Sequence, residues 1–484
     1  MAFGSLSGLV VPHAAERRAT FLPVIRMRFL LFLWFPLTAS ADNWVVIVAD
    51  DLGYGETGMM GAVDDIATPH IDALARGGVR CTSGYVTSSY CSPSRAGLMT
   101  GVYQSRFGYD HNPVGPKNSH PNAGLPADRS TFVESMRRSG HATAMIGKWH
   151  LGTRPPQRPT AKGFDRFFGF LHEGHFYVPG PPYEGVWTML RDTSLPAGET
   201  IRDGRTFRGH YARIDEPAYD RDNPILDHAA PVTPTDYLTD VITRRSVDFI
   251  DEHADGDFTL VVSYNAVHSP MQASDRDHAA AGIIDDPQRR IFAGMLIALD
   301  RGVGELMTTL KRHALTKRTT VVFLSDNGGP TAELTSSNVP LRGGKGSLYE
   351  GGIRVPMVWH RPGVYPAGVT EPRPVLSLDI AASATADTTY ETDGVDVRPW
   401  LGRPEIPAPR RDLYWRMPHG GAAIRVGDDK AVRQPRGGEW ELFDLQADIA
   451  EATNLATRRP ERLGELVDRW RRLDDGMQPT RPLD

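Results

Sequence analysis

Short apolar runs alternate with amphipathic stretches along most of the chain. The continuous, β-branched run 43–49 is typical of a strand that is buried on both faces of a parallel sheet. The predicted strands are 43–49, 143–146, 258–264, 319–324 and 355–359, and the predicted helices between them are 68–75, 129–139, 233–253 and 287–313. This alternation predicts an α/β fold with a large mixed, mostly parallel sheet flanked by helices.

The pattern changes after about residue 380. Four short strands separated by Gly and Asp turns are predicted at 413–416, 422–426, 430–433 and 440–444, and a final helix is predicted at 460–473. We therefore predict a catalytic domain, 42–380, and a smaller C-terminal subdomain, 381–484, that contains an antiparallel sheet and a helix.

Periodicity also fades between residues 174 and 232, where Pro and Gly are frequent. Aromatic, His and Arg side chains occur throughout this segment. Long loops in compact enzymes often carry function. We predict that this segment forms the wall that selects the substrate, and the sequence assigns no role to its individual residues.

The N-terminal segment has the features of an export signal. A basic start at 27–28 precedes the apolar run 29–37, and small residues at 39–41 offer a cleavage site. We predict a signal peptide within residues 1–41, with residues 1–26 as a misassigned extension. The protein would then be secreted or periplasmic with no stable membrane span after cleavage, whereas an uncleaved anchor is the alternative.

Charge and cysteine content narrow the choice of partners. The 484 residues carry a net charge of −5, which gives no basis for a nucleic-acid-binding surface. An anionic substrate would therefore have to be attracted by a local basic pocket. The two cysteines allow either a disulfide between Cys81 and Cys91 or a modified Cys91 beside a single buried Cys81. The sequence around Cys91 favours the second interpretation.

Polar side chains follow four of the predicted strands. Asp50 and Asp51 come directly after the first strand, and two adjacent carboxylates there would repel each other unless a cation lay between them. A solvated acidic turn is the alternative for this pair alone. The other residues at strand ends are Lys148, His150, His268, Asp326 and Asn327. Because functional sites of such sheets lie at the carboxyl ends of the strands, we expect these side chains to lie close together.

The stretch 91–95 reads Cys-Ser-Pro-Ser-Arg and continues to Thr100-Gly101. Together with the residues at the strand ends, it resembles the sulfatase family of the alkaline phosphatase superfamily, including its arylsulfatase and N-acetylgalactosamine-6-sulfatase types. The resemblance covers nearly all of the chain after the predicted signal. In that family the cysteine of this motif is oxidised to formylglycine. For the motif alone, a buried structural thiol beside a loop proline is the alternative.

The resemblance implies an alkaline phosphatase-like fold and a calcium site. The implied ligands are Asp50, Asp51, Asp326 and Asn327, with the modified Cys91 completing the site. These are oxygen donors, which suit a hard cation such as Ca²⁺, with Mg²⁺ as a substitute. A zinc site would instead need His or Cys ligands.

The resemblance also implies catalytic roles. The hydrated aldehyde at position 91 supplies the hydroxyl that attacks sulfur, Arg95 holds it in place, and His150 is the base for the release of sulfate. Lys148 and Lys345 bind the sulfate oxygens, and His268, together with Lys345, protonates the departing oxygen. Each residue alone also has an ordinary structural explanation, such as a hydrogen-bonded core histidine or a solvated lysine.

The implied enzyme is a sulfuric ester hydrolase that acts on sulfate monoesters of a saccharide, such as a glycosaminoglycan or an algal polysaccharide. Its implied partner is a formylglycine-generating or sulfatase-maturating enzyme. Two alternatives stay open: a formylglycine-dependent phosphonate monoester or phosphodiester hydrolase, and a catalytically silent protein that binds sulfated glycans. The sequence predicts neither the sugar nor the oligomeric state.

Overall fold

The computed structural model describes residues 42–219, 221–385 and 389–483. The predicted signal peptide lies outside these residues. Within the described ranges, no helix has both the length and the apolar character that a membrane crossing requires.

The strands are β1 (Asn43–Ala49), β2 (Val79–Cys81), β3 (Gly84–Tyr85), β4 (Ala142–Lys148), β5 (Arg166–Phe170), β6 (Val186–Arg191), β7 (Thr200–Asp203), β8 (Thr206–Gly209), β9 (Ile225–Asp227), β10 (Ala230–Val232), β11 (Phe258–Ser263), β12 (Met271–Ser274), β13 (Thr319–Ser325), β14 (Met357–His360), β15 (Val369–Glu371), β16 (Val375–Leu376), β17 (Leu413–Met417), β18 (Gly421–Val426), β19 (Asp429–Arg433) and β20 (Glu441–Asp444).

The α-helices are α1 (Pro69–Arg76), α2 (Cys91–Thr100), α3 (Phe132–Arg138), α4 (Leu238–Glu252), α5 (Asp275–Ala280), α6 (Pro287–Arg312), α7 (Thr331–Leu334), α8 (Glu350–Ile353), α9 (Leu378–Ala384) and α10 (Pro460–Asp474).

A ten-stranded mixed sheet forms the centre of the fold, in the order β10-β9-β5-β4-β11-β1-β13-β14-β2-β15. Its middle five strands, from β5 to β13, are all parallel. The strands β9 and β14 pair antiparallel with the two ends of this block. The predicted mixed, mostly parallel sheet is therefore confirmed.

Both faces of the sheet are covered, which explains why β1 is apolar from Trp44 to Ala49. Val45 and Ile47 point into one apolar cluster, which includes side chains of α1, α4 and α6. Trp44, Val46 and Val48 point into a second cluster, which includes side chains of α2, α3 and α9. Successive side chains of a strand face opposite sides, so only a continuous apolar run can satisfy both clusters.

The C-terminal strands form a separate antiparallel sheet in the order β17-β18-β19-β20, as predicted. Helix α10 covers it: Trp470 stacks on Tyr414 at a centroid distance of 5.7 Å and donates to the backbone carbonyl of Trp415. The same apolar cluster includes Tyr85 and Leu376 of the main part of the chain. The domain boundary at residue 380 stays a prediction.

The segment 174–232 differs from the prediction, because it contains five short strands and not one long loop. Strands β6, β7 and β8 form a four-stranded sheet with β12, and β9 and β10 extend the main sheet. Each of these strands has only three to six residues, and β7 is exposed at every position. Runs of that length, interrupted by Pro and Gly, carry too little periodicity to be recognised.

Two helices begin later than predicted. Helix α3 begins at Phe132 because the side chain of Thr131 accepts a hydrogen bond from the Glu134 amide and so caps the first turn. Helix α4 begins at Leu238, whose amide donates to the carbonyl of Tyr177 and so is held by a residue distant in sequence. Strand β14 also begins at Met357, two residues after the predicted start.

Candidate active site

Four neighbouring parallel strands bring the predicted site residues to one edge of the sheet. The strands β4, β11, β1 and β13 are adjacent in that order. Their carboxyl ends lead to the groups that hold Lys148 and His150, His268, Asp50 and Asp51, and Asp326 and Asn327. Lys345 reaches the same place from the loop before α8.

Cys91 is the first residue of helix α2 and is fully buried. Its Sγ lies 3.8 Å from Oδ1 of Asp50 and 3.8 Å from Oδ1 of Asp51. Both Cys81 and Cys91 are free, so the alternative disulfide is not present. Burial raises the pKa of the Cys91 thiol well above its ordinary value despite Lys148. Unmodified, the residue would therefore be a neutral thiol and a poor nucleophile.

Three carboxylates converge beside Cys91. Ligand atoms of Asp50, Asp51, Cys91 and Asp326 all lie within 4.8 Å of one another. Asn327 donates from Nδ2 to Oδ1 of Asp51 at 2.7 Å, while its Oδ1 is buried with no hydrogen-bond partner among the described residues. An unpartnered amide oxygen beside three carboxylates fits a hard cation, and the predicted ligands are thus brought together.

The electrostatics of the cluster point the same way. Burial raises the pKa of Asp50 to about 7, and the neighbouring Asp326 adds to this rise although Lys148 opposes it. In Asp51 burial also raises the pKa, but Lys345 and His268 outweigh it and the net direction is downward. Ionisation of Asp50 beside Asp326 is therefore unfavourable, and a cation between the carboxylates would favour it.

The backbone at this edge is held in unusual conformations. Asp51 has a φ of 63°, and its amide donates to Oδ1 of Asp326 at 3.2 Å. His150 has a φ of 57°. At Gly147, with a φ of 113°, a Cβ would lie 1.8 Å from the carbonyl oxygen of Ser263, so only glycine allows β4 to lie this close to β11.

Three cations neutralise the carboxylates. Nζ of Lys148 lies 2.7 Å from Oδ2 of Asp50, and Nζ of Lys345 lies 2.7 Å from Oδ2 of Asp51. Arg95 donates from Nε to Oδ2 of Asp326 at 2.8 Å and from Nη1 to the carbonyl of Lys148 at 3.0 Å. The three carboxylates and three cations give a net charge of zero before any metal or substrate binds.

The imidazole of His150 has a defined tautomer. Its Nε2 lies 2.8 Å from the carbonyl oxygen of Pro113, which can only accept, so Nε2 carries the hydrogen. Nδ1 is then the basic nitrogen, and it is buried without a partner among the described residues. Burial, reinforced by Lys148, lowers the pKa of His150 well below its ordinary value. A neutral imidazole with a free lone pair can accept a proton.

His268 faces the same cluster from the other side. Its Nδ1 donates to the carbonyl of Ser269 at 2.5 Å, and its Nε2 lies 3.6 Å from Oδ2 of Asp51. Burial, with Lys345 beside it, lowers the pKa of His268 well below its ordinary value. The negative charge of a bound anion would raise it again.

Two contributors to the site were not predicted. The carbonyl of Pro113 fixes the tautomer of His150, and Tyr219 packs against His268 with ring centroids 6.0 Å apart. Every residue has a backbone carbonyl, so the sequence does not single out that of Pro113. Tyr219 lies in the segment where periodicity fades. The occurrence of aromatic residues within 174–232 was the available signal.

Comparisons with known proteins indicate which protein family this chain is similar to. A family model described as Sulfatase matches residues 42–386. Human arylsulfatase A is 32% identical over 452 residues, which cover 88% of this chain and 82% of that protein. Mouse arylsulfatase J is 33% identical over 377 residues, which cover 74% of this chain and about half, 55%, of that protein.

Among solved structures, Ps i-CgsB in complex with k-i-k-neocarrahexaose has a TM-score of 0.79 and 32% sequence identity. The alignment covers 91% of this chain and 94% of that one. The similarity therefore extends well beyond the residues around position 91.

Proposed function

The chain belongs to the sulfatase family, and from this premise we propose that it hydrolyses sulfate monoesters of a saccharide at position 91, after oxidation of Cys91 to formylglycine and with a bound Ca²⁺. The observation that carries the proposal is the convergence of four strand ends and helix α2 on one buried cysteine. A buried thiol among three carboxylates has no evident structural purpose.

The charge of the site supports an anionic substrate. The described carboxylates and cations at position 91 cancel. A divalent cation held by Asp50, Asp51, Asp326 and Asn327 would raise the net charge to +2, which attracts the sulfate group of a monoester. When bound, such an ion stabilises negative charge on oxygen and favours ionisation of a nearby hydroxyl. Mg²⁺ is the substitute that the oxygen donors also allow.

Formylglycine would supply a hydrated aldehyde as the nucleophile. Lys148 and Lys345 support the binding of sulfate oxygens, because both Nζ atoms lie at the carboxylate cluster and point into the site. Exchange of a carboxylate contact for a sulfate contact keeps each ammonium paired. Arg95 holds Asp326 and the end of β4, and we assign it the ordering of the nucleophile.

The two histidines suit opposite proton transfers. His150 presents an unprotonated Nδ1 and is fixed by Pro113, so it acts as the base that promotes the release of sulfate. His268 presents Nε2 toward Asp51 and Lys345, and a bound sulfate ester favours its protonated form. It then donates a proton to the oxygen that leaves with the sugar.

A saccharide is the proposed substrate class. Support comes from Ps i-CgsB, which was crystallised with k-i-k-neocarrahexaose and is 32% identical to this chain. Further support comes from aromatic residues of the segment 174–232: Tyr219 packs against His268, and Phe176 packs against Tyr219. The corresponding partners are a sulfated glycan and a formylglycine-generating or sulfatase-maturating enzyme, and the proposed location is secreted or periplasmic.

The test combines mass spectrometry with turnover. The protein is coexpressed with a maturating enzyme, the peptide containing residue 91 is analysed by mass, and sulfate release is measured on 4-nitrophenyl sulfate and on a panel of defined sulfated saccharides. We expect an aldehyde at position 91 and turnover of both substrate types. Cys91→Ala should be inactive. Cys81→Ala is the matched control, because Cys81 is equally buried but lies outside the site.

Two outcomes would favour the rival functions. Faster turnover of an aryl phosphate diester than of any sulfate ester would indicate a phosphodiesterase. An unmodified thiol at position 91, together with saccharide binding and no turnover, would indicate a silent glycan-binding protein.

A further inference from the structure

Tyr219 contacts both the imidazole ring of His268 and Ser269, the residue that holds this ring by a hydrogen bond. The two rings meet at 80° with centroids 6.0 Å apart, and both residues are buried. The hydroxyl of Tyr219 lies 2.9 Å from Oγ of Ser269. Ser269 is also the residue whose carbonyl accepts the hydrogen of His268 Nδ1. A substitution at Tyr219 would therefore affect His268 both through the ring contact and through Ser269.

Arg191 determines how this hydroxyl points. Its Nη2 donates to the hydroxyl oxygen of Tyr219 at 2.7 Å. A guanidinium can only donate, so the tyrosine oxygen accepts from Arg191, and the same hydroxyl shares a second hydrogen bond with the hydroxyl of Ser269. The hydroxyl of Tyr219 is thus fixed at both ends.

Arg191 is itself held in place by Glu216. The amide of Arg191 donates to Oε2 of Glu216 at 3.0 Å, and Nη2 donates to Oε1 at 3.0 Å. In return, the amide of Glu216 donates to the carbonyl of Arg191 at 3.1 Å. A buried, bidentate pair of this kind has little freedom to move.

The sheet register explains why this network meets His268. In the antiparallel pair of β6 and β12, Met189 lies opposite Met271. Arg191 follows Met189 by two residues and Ser269 precedes Met271 by two, so both lie at the same end of this strand pair. The short sheet of the segment 174–232 therefore places Arg191 near the turn that carries His268.

We propose that Arg191 and Tyr219 are positioning residues, which orient His268 so that Nε2 protonates the departing oxygen. This inference rests on the proposed function. As the nucleophilic oxygen at position 91 bonds to sulfur, the bond between sulfur and the leaving oxygen breaks, and its electron pair stays on the leaving oxygen and takes the proton from Nε2. The hydrogen on Nδ1 remains bonded to the carbonyl of Ser269, and neither Arg191 nor Tyr219 gives up a proton.

Tyr219→Phe tests the proposal, because it keeps the ring and removes the hydroxyl. The assay compares kcat and KM for aryl sulfates whose leaving phenols range from acidic, as in 4-nitrophenyl sulfate, to weakly acidic, as in phenyl sulfate. A misoriented proton donor harms poor leaving groups most. We expect kcat for phenyl sulfate to fall at least about 10-fold more than kcat for 4-nitrophenyl sulfate, with KM little changed, because a general acid contributes about 10²- to 10⁴-fold.

Three variants complete the experiment. Arg191→Met should act in the same direction, and Arg191→Lys should restore part of the activity because its ammonium can still donate to Tyr219. Tyr264→Phe is the matched control: its buried hydroxyl pairs with Oγ1 of Thr243 at 2.8 Å and belongs to neither the Arg191 nor the Tyr219 contacts. It should leave the dependence on the leaving group unchanged. Thermal unfolding confirms that each variant folds.

An equal loss of kcat across the whole series would overturn the proposal, as would additive losses in His268→Ala/Tyr219→Phe, since the tyrosine would then act without the histidine. If Tyr219→Phe does not fold, the comparison of Arg191→Lys with Arg191→Met gives the same decision. Wild-type turnover of 4-nitrophenyl sulfate is measured first. An inactive wild type with an aldehyde at position 91 would refute the proposed function and this inference with it.

Discussion

Lys430 joins the C-terminal sheet to the loop that carries Lys345. Its removal should lower the free energy of unfolding by an amount that depends on pH. Its Nζ lies 2.9 Å from Oε1 of Glu350 and 2.9 Å from Oε1 of Glu451, and all three side chains are fully buried. Glu350 begins helix α8, directly after the loop with Lys345. In Lys430→Met, both carboxylates lose their shared cation.

The two carboxylates differ in what remains to hold them. Glu350 still accepts from the hydroxyl of Tyr85 at 2.5 Å and from Arg354 at 3.1 Å. Glu451 keeps only the amide of Glu350, at 2.6 Å, among its described partners. Loss of one partner from a buried ion pair costs about 3 to 5 kcal/mol. We expect about 3 kcal/mol at pH 7, because Glu451 can take up a proton instead of remaining charged.

The pH dependence follows from Glu451. Burial raises the pKa of Glu451 to about 7 in spite of Lys430. A carboxyl group whose pKa is raised by folding lowers stability as the pH rises from the unfolded pKa to the folded one. In Lys430→Met the folded pKa of Glu451 rises further, so the variant continues to lose stability above pH 7. The difference from wild type should grow by up to about 1.4 kcal/mol per pH unit there.

Urea unfolding followed by tryptophan fluorescence at pH 7, 8 and 9 measures these free energies. The double variant Lys430→Met/Glu451→Gln is the control, since it removes the carboxylate that is left without a cation and should abolish the trend with pH. A cost below about 1 kcal/mol, or a cost that does not change from pH 7 to pH 9, would refute the reasoning.

Three further predictions concern the site. Lys148→Met should lower kcat/KM for 4-nitrophenyl sulfate about 10²- to 10³-fold, since it removes a buried donor to the sulfate group, and a loss below about 5-fold would contradict this role. Chelation by EDTA should lower the thermal unfolding midpoint. Addition of Ca²⁺ at about 100 times its Kd should restore about 2.7 kcal/mol of stability. In Asp326→Ala this response to Ca²⁺ should be lost. His150→Ala should release about one equivalent of 4-nitrophenol rapidly and then turn over slowly, whereas loss of the burst would place His150 in the first step.

The sequence predicted the residues that lie at the ends of long apolar strands. Because β1 and β13 are buried on both faces, their runs are unambiguous, and Asp50 and Asp326 follow from where those runs end. The carboxyl edge of a parallel sheet then brings the two residues together without any knowledge of the loops. Cys91 was identified by a different route, from its local motif.

The contribution of the segment 174–232 could not be predicted by this route. Tyr219 packs against His268 and accepts from Arg191 at the end of β6, and these contacts join parts of the chain that are distant in sequence. Strands of three to six residues do not determine their own partners. The sequence therefore indicated that the segment was functional but gave no roles to its residues.

The backbone at Asp51 shows why the site can exist only in the complete fold. A left-handed conformation costs about 1 to 2 kcal/mol for a residue with a side chain. Here it is compensated by partners about 275 to 294 residues away: the Asp51 amide donates to Asp326, its carbonyl accepts from Ser336, and Lys345 pairs with its carboxylate. These partners all come from distant parts of the chain, so we expect the turn to form together with the assembly of β1 with β13. The cation site and the central sheet are thus expected to form in the same step.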